Sequence, residues 1–207
     1  MWRGCTPPAF GRPCRKIRET VNGWTRKNGH VVADVSQQEA AVIRGLVGQI
    51  KDMLTARAAE MPQDELAELT GIRTGPTTPP EDRVMGRLLP DFYRRDPDTG
   101  ETDEKQDDAA GAMRSLYEPE LLERKTGVAE VVLRTCPRDG GWVELTGEEA
   151  DGWLSALNDV RLALGTALEV EDDMPEELPE DDLRREHLGV YQWLTWVQDS
   201  LVESLTS

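Results

Sequence analysis

Residues 29–61 read GHVVADVSQQEAAVIRGLVGQIKDMLTARAAEM. The opening GHVVADV is rich in β-branched side chains, whose restricted rotamers suit an extended, half-buried chain. At Ser36 the pattern changes. Ser36 and Glu39 stand at the spacing of a capping box, in which the hydroxyl accepts from one free amide of a helix start and the carboxylate from another. Beyond them Val42, Ile43, Leu46, Val47, Ile50, Met53 and Leu54 recur at steps of one, three and four, the period of a single apolar helix face. The stretch is a strand running directly into an amphipathic helix.

The same order returns about 110 residues later in GGWVELTGEEADGWLSALNDVRLALGTALEV, residues 140–170. An extended WVEL precedes Thr146 and Glu149 at capping-box spacing, and Trp153, Leu157, Val160, Leu164 and Leu168 form the stripe of a second helix. Two such units predict strands that pair as a short two-stranded antiparallel ribbon, with both helices entering one core. The expected fold is mainly α with a small β component.

Between the units, PQDELAEL (62–69) reads as a short helix with Pro62 in its first turn. RVMGRLLPDFYRR reads as a helix that Pro90 breaks or kinks, because proline has no N–H to give the preceding turn. Residues 96–108 hold seven acids and no large apolar side chain, which predicts a loop. Helix resumes through DAAGAMRSLYEPELLERKTGVAEVVLRTC, with Pro119 expected to start a second segment. Residues 169–182, EVEDDMPEELPEDD, carry nine acids and two prolines without the spacing of a calcium-binding loop, and read as a linker. The last helix bears Val190, Leu194, Val197, Leu201 and Leu205 on one face, widened by Tyr191, Trp193 and Trp196. That face is either core or the interface of a homodimer or partner.

Charge divides the chain of 207 residues. Net charge is −16, yet residues 1–30 hold seven basic side chains against Glu19 alone, leaving 39 acids against 17 bases beyond them. Residues 1–27 therefore read as a basic, Pro/Arg-rich leader and 28–207 as one helical domain. An acidic body repels phosphate backbones, so composition points to protein partners and argues against direct DNA contact by that body. No window approaches the apolar length of a membrane span, and prolines, glycines and arginines interrupt any signal-peptide core; a cytoplasmic protein is expected.

Catalytic signatures fail in turn: GxxxxGK[ST], GxGxxG after a strand, HExxH and GxSxG are all missing. His30 and His187 belong to no constellation and no CxxC pair exists, so neither an enzyme, a cofactor nor a metal site is expected. Asn158, Asp159 and Arg161 are polar within an otherwise apolar helix. They are read as residues bonded across the core or lying on its wet side, with a partner-binding or catalytic carboxylate as the other reading, and Asp159 and Arg161, two apart, cannot face each other on one helix.

DELAELTGIRTG (64–75), RLLPDFYR (87–94), SLYEPELLERK (115–125), LNDVRLALG (157–165) and YQWLTWVQ (191–198) resemble, in that order, an actinobacterial family once of unknown function and known for an oxidative-stress transcriptional regulator. The likeness runs from about Arg15 to Leu205. It implies a regulator that responds to oxidants and acts on transcription through protein partners, an alternative sigma factor or RNA polymerase. A redox-insensitive adaptor is the alternative. A thiol sensor needs an exposed cysteine with thiolate character and a resolving partner. Cys14, beside Arg12, Arg15 and Lys16, fits the first requirement and Cys5 could supply the second, though a leader without a role stays open. Cys136 ends the apolar run EVVLRTCP and reads as a small buried hydrophobe.

Overall fold

The computed structural model describes residues 22–61, 74–93, 104–171, 178–179 and 181–206. Strands β1 (Asn22–Lys27), β2 (His30–Val35) and β3 (Gly141–Leu145) form one antiparallel sheet in the order β1-β2-β3. Five helices accompany it among the described residues: α1 (Gln37–Ala59), α2 (Arg83–Leu88), α3 (Glu104–Thr135), α4 (Gly147–Ala167) and α5 (Arg185–Thr206).

The expected ribbon exists as β2 and β3, with Val31 opposite Leu145 and Val35 opposite Gly141. The sheet nevertheless has three strands rather than two. The added strand comes from residues 22–27, within the stretch read as leader, and a hairpin joins it to β2. Its turn is Asn28-Gly29, with φ of 53° and 85°. Positive φ at both positions is what a two-residue I′ turn requires, and Asn-Gly supplies it with least strain.

Both capping boxes form as the spacing predicts: Ser36 and Glu39 start α1, and Thr146 and Glu149 start α4. Gly140 makes the close approach that joins the two units. At φ +76°, a Cβ there would lie 2.5 Å from the Gln37 amide nitrogen, so the turn into β3 seats against the start of α1 only without a side chain.

The sheet turns Val31, Ala33, Val35, Val143 and Leu145 inward, all buried. Trp24 of β1 meets Trp153 of α4 edge to face at 5.2 Å between ring centroids, a favoured aromatic geometry. The Trp24 amide donates to Ser200 Oγ of α5 at 2.8 Å, tying the first strand to the last helix. Of the α5 stripe, Leu194, Val197 and Leu201 are buried; of its aromatics, Trp193 is buried, with Tyr191 and Trp196 half-buried. At the far end of the core, Arg44 of α1 donates at 2.6 Å to the carbonyls of both Leu133 and Cys136, filling acceptors that the C-terminus of α3 leaves open.

Two expectations between the units need correcting. Helix α3 begins at Glu104, inside the acidic stretch read as loop, and Pro119 lies within it instead of starting a second helix. Proline there leaves the Ser115 carbonyl without its intrahelical donor. The Gly75 amide takes its place at 2.7 Å, and Ser115 Oγ donates back to the Gly75 carbonyl at 2.8 Å. A partner from outside the helix thus removes much of the reason for a break. Helix α2 stops at Leu88, before Pro90. The PQDELAEL helix, the acidic residues 96–103 and both leader cysteines lie outside the described residues. In the stretch 169–182 no described residue is in a helix or strand, and Leu178 is buried.

Candidate functional site

The most concentrated polar chemistry lies where α1, α3 and the segment 74–93 meet. Glu118 is 0% exposed and Arg114 2%, an expensive placement unless every charge is paired. They are paired. Arg57 Nε of α1 donates to Glu118 Oε1 at 2.7 Å, and Arg114, one turn before Glu118 on α3, donates to Glu118 Oε2. One carboxylate is therefore gripped by two guanidiniums from different helices.

The remaining donors reach the neighbouring segment. Arg114 Nη2 meets Asp91 at 2.6 Å and Nη1 the Leu89 carbonyl at 3.3 Å, while Arg57 Nη2 meets the Thr78 carbonyl at 2.7 Å and Nη1 meets Glu60 at 2.6 Å. Burial depresses the Arg57 pKa, but Glu118 and Glu60 outweigh it and raise the pKa above the ordinary arginine value. Gly75 fits because it lacks a side chain; a Cβ would sit 3.2 Å from the Pro119 ring. The ion network and the Gly75–Ser115 exchange hold residues 74–91 against the two long helices. Beside them opens a cleft of about 630 Å³, with Met53, Arg57, Glu60, Thr78, Asp82 and Met85 in its wall.

Arg57 and Arg114 act here by position, joining α1, α3 and residues 74–91 through Glu118, Asp91 and the Thr78 carbonyl. Among the described residues no group of three His, Cys, Asp or Glu could hold a metal, and no helix is long and apolar enough to cross a membrane.

Of the residues singled out in the sequence, Asp159 is buried and receives Lys125 Nζ of α3 at 2.5 Å. Burial raises its carboxyl above the usual range, and the pull of Lys125 offsets only part of that. Arg161 points elsewhere, to Thr195 Oγ1 at 3.1 Å and Gln198 Oε1 at 2.5 Å on α5, with its guanidinium 5.7 Å from the Tyr191 ring centroid. The two side chains bind different helices, and Asn158 between them is exposed. Cys136 is 2% exposed, and burial pushes its thiol up to about 11. It is not a thiolate at neutral pH.

The Arg57–Glu118–Arg114 network escaped the sequence reading because helical periodicity counts charged side chains as solvent-facing. One local signal was available: Glu118 directly before a mid-helix proline, four residues after an arginine.

A family described as a domain of unknown function (DUF2017) matches residues 21–205. Two similar proteins, from Mycobacterium tuberculosis and Mycobacterium bovis, are each named oxidative stress regulator AosR; each is 40% identical over 211 residues, spanning 95% of this chain and 96% of the relative. A relative from Mycobacterium leprae is 39% identical over 214 residues, spanning 96% of this chain and 98% of its own. No solved structure matches the chain.

Proposed function

We propose, because this chain belongs to the DUF2017 family, that it is a regulator of the oxidative-stress response that acts on transcription through protein partners. The naming of relatives that match nearly end to end carries this reading. The partner class follows from charge: 39 acids against 17 bases beyond residue 30 make the body a poor ligand for nucleic acid and a good one for basic protein surfaces. An alternative sigma factor or RNA polymerase is the partner we put forward. The experiment is affinity capture of purified polymerase and sigma factors on the full chain, before and after mild peroxide. Retention that changes with oxidation supports the reading, and no retention in either state rejects it.

The sensing group we put forward is the pair Cys5 and Cys14. The one cysteine among the described residues, Cys136, is too buried and too high in pKa to serve. Mass spectrometry after peroxide should find a Cys5–Cys14 disulfide, and Cys14→Ser should abolish the oxidant response. The same burial favours a second reading, an adaptor without a thiol switch. Capture unaffected by peroxide and by Cys14→Ser would select it.

A further inference from the structure

The cleft beside the ion network has methionine in both walls. Of the six methionines in the chain, Met53, Met61, Met85 and Met113 lie among the described residues. Two of these line the cleft, Met53 from α1 and Met85 from α2. Met85 is 7% exposed and belongs to the core, whereas Met53 is half-buried and packs against it. Exposed Ala56, Thr78 and Pro79 share the lining, so the cleft is open to small solutes. The one described cysteine, Cys136, is 2% exposed. The oxidisable sulfur within reach of solvent among the described residues is therefore thioether.

Oxidation has different consequences at different methionines. A thioether packs as a flexible hydrophobe and accepts hydrogen bonds weakly, whereas its sulfoxide is polar and a far better acceptor. Met113, 38% exposed on α3, already faces water, and an added oxygen there costs little. Met53 stands where an oxygen matters. It shares the cleft wall with buried Met85, and Arg57 follows it by four residues, one turn further along α1. Arg57 Nη2 holds the Thr78 carbonyl at 2.7 Å, one of the bonds that keep residues 74–91 against the long helices.

We propose that Met53 is an oxidation site for hypohalous acids, and that its sulfoxide loosens residues 74–91 from α1 and α3. In the step the sulfur gains the oxygen of hypochlorous acid and gives up two electrons. The Cl–O bond breaks, and chlorine leaves as chloride together with a proton. The new oxygen parts Met53 from Met85 and competes with the Thr78 carbonyl for the Arg57 guanidinium. Thioethers react without first losing a proton, so this input is separate from the Cys5 and Cys14 pair, whose reaction with peroxide needs a thiolate. Methionine sulfoxide reductases reverse it. The inference adds a second oxidant input to the regulator reading above and rests on that reading for its use.

The test treats the full chain, carrying Cys5→Ser and Cys14→Ser to remove competing thiols, with stoichiometric hypochlorite. Peptide mapping by mass spectrometry should find one added oxygen at Met113 and at Met53 before Met85. Amide hydrogen exchange in peptides spanning 74–91 should then quicken about tenfold, the size of an ordinary local destabilisation. Reductase treatment should restore the slow exchange. Met53→Leu, which keeps the volume, should abolish the quickening while Met113 still gains oxygen, and Met113→Leu should leave it intact. Met53 untouched after Met85 has reacted, exchange at 74–91 unchanged once Met53 is oxidised, or quickening that persists in Met53→Leu each overturns the proposal. Capture of polymerase or sigma factor that answers hypochlorite equally with and without Met53→Leu removes the methionine and leaves the regulator reading standing. No capture in any state, with 74–91 still loosened by Met53 oxidation, rejects that reading and keeps the oxidation site.

Discussion

Helix α3 runs through two environments that bury opposite kinds of side chain. In its C-terminal half, Leu122, Ala129, Val132 and then Cys136 enter an apolar core shared with Trp153 and the sheet. In its N-terminal half the buried groups are Arg114 and Glu118, joined by Arg57. The apolar half tolerates changes that keep volume, because dispersion and hydrophobic burial have no direction. The charged half has no such latitude, since each member owes its burial to a named partner and the loss of one strands the others.

The sharpest way to break that contrast is Glu118→Ala. It strands two arginines and should cost about 3–5 kcal/mol, which for a domain of this size lowers the melting temperature by roughly 6–20 °C. The triple change Arg57→Met, Arg114→Met, Glu118→Leu should recover most of that loss, and a triple variant as unstable as Glu118→Ala would show that the cost is not one of orphaned charge. Asp159→Ala, which deprives Lys125 of its acceptor, should cost about 1.5–3 kcal/mol by thermal or urea unfolding; an unchanged midpoint would place Asp159 outside the stability of the core. Gly75→Ala pushes a methyl against Pro119 and should cost about 1 kcal/mol. Adding Pro119→Ala removes the ring and restores a donor to Ser115, so the pair should be non-additive in a double-mutant cycle.

The smallest effect at neutral pH belongs to Cys136. Its folded thiol is raised to about 11 from the ordinary 9.0. Above pH 9 the unfolded chain loses this proton while the folded chain keeps it, so stability should fall with rising pH through that window. Cys136→Ala should flatten this slope. In the native protein at neutral pH iodoacetamide should leave Cys136 unmodified, and in denaturant it should label it.

Periodicity and capping spacing made β2, α1, β3, α4 and the apolar stripe of α5 readable, because those elements are decided by local rules and one-sided burial. What stayed hidden depends on partners distant in sequence. Pro119 reads as a break until Gly75 is known to serve the Ser115 carbonyl, and Arg114 with Glu118 reads as an exposed pair until Arg57 arrives from α1. The third strand is a different kind of miss. Asn28-Gly29 was a local hairpin signal in plain view, overridden by the basic composition around it. The candidate site was legible only in fragments: Asp91, Gly75 and Glu118 all stand within the strings that carry the family likeness, but nothing in those strings says that they converge.

The bond from the Trp24 amide to Ser200 spans 176 positions. A ribosome adding about 5–20 residues per second takes about 10 to 35 s to cover that interval. Throughout it β1 is already made and its tryptophan has no α5 to lie against, so the hairpin must wait exposed or be sheltered. Nascent chains stalled before residue 200 should thus be markedly more susceptible to protease near Trp24 than released ones.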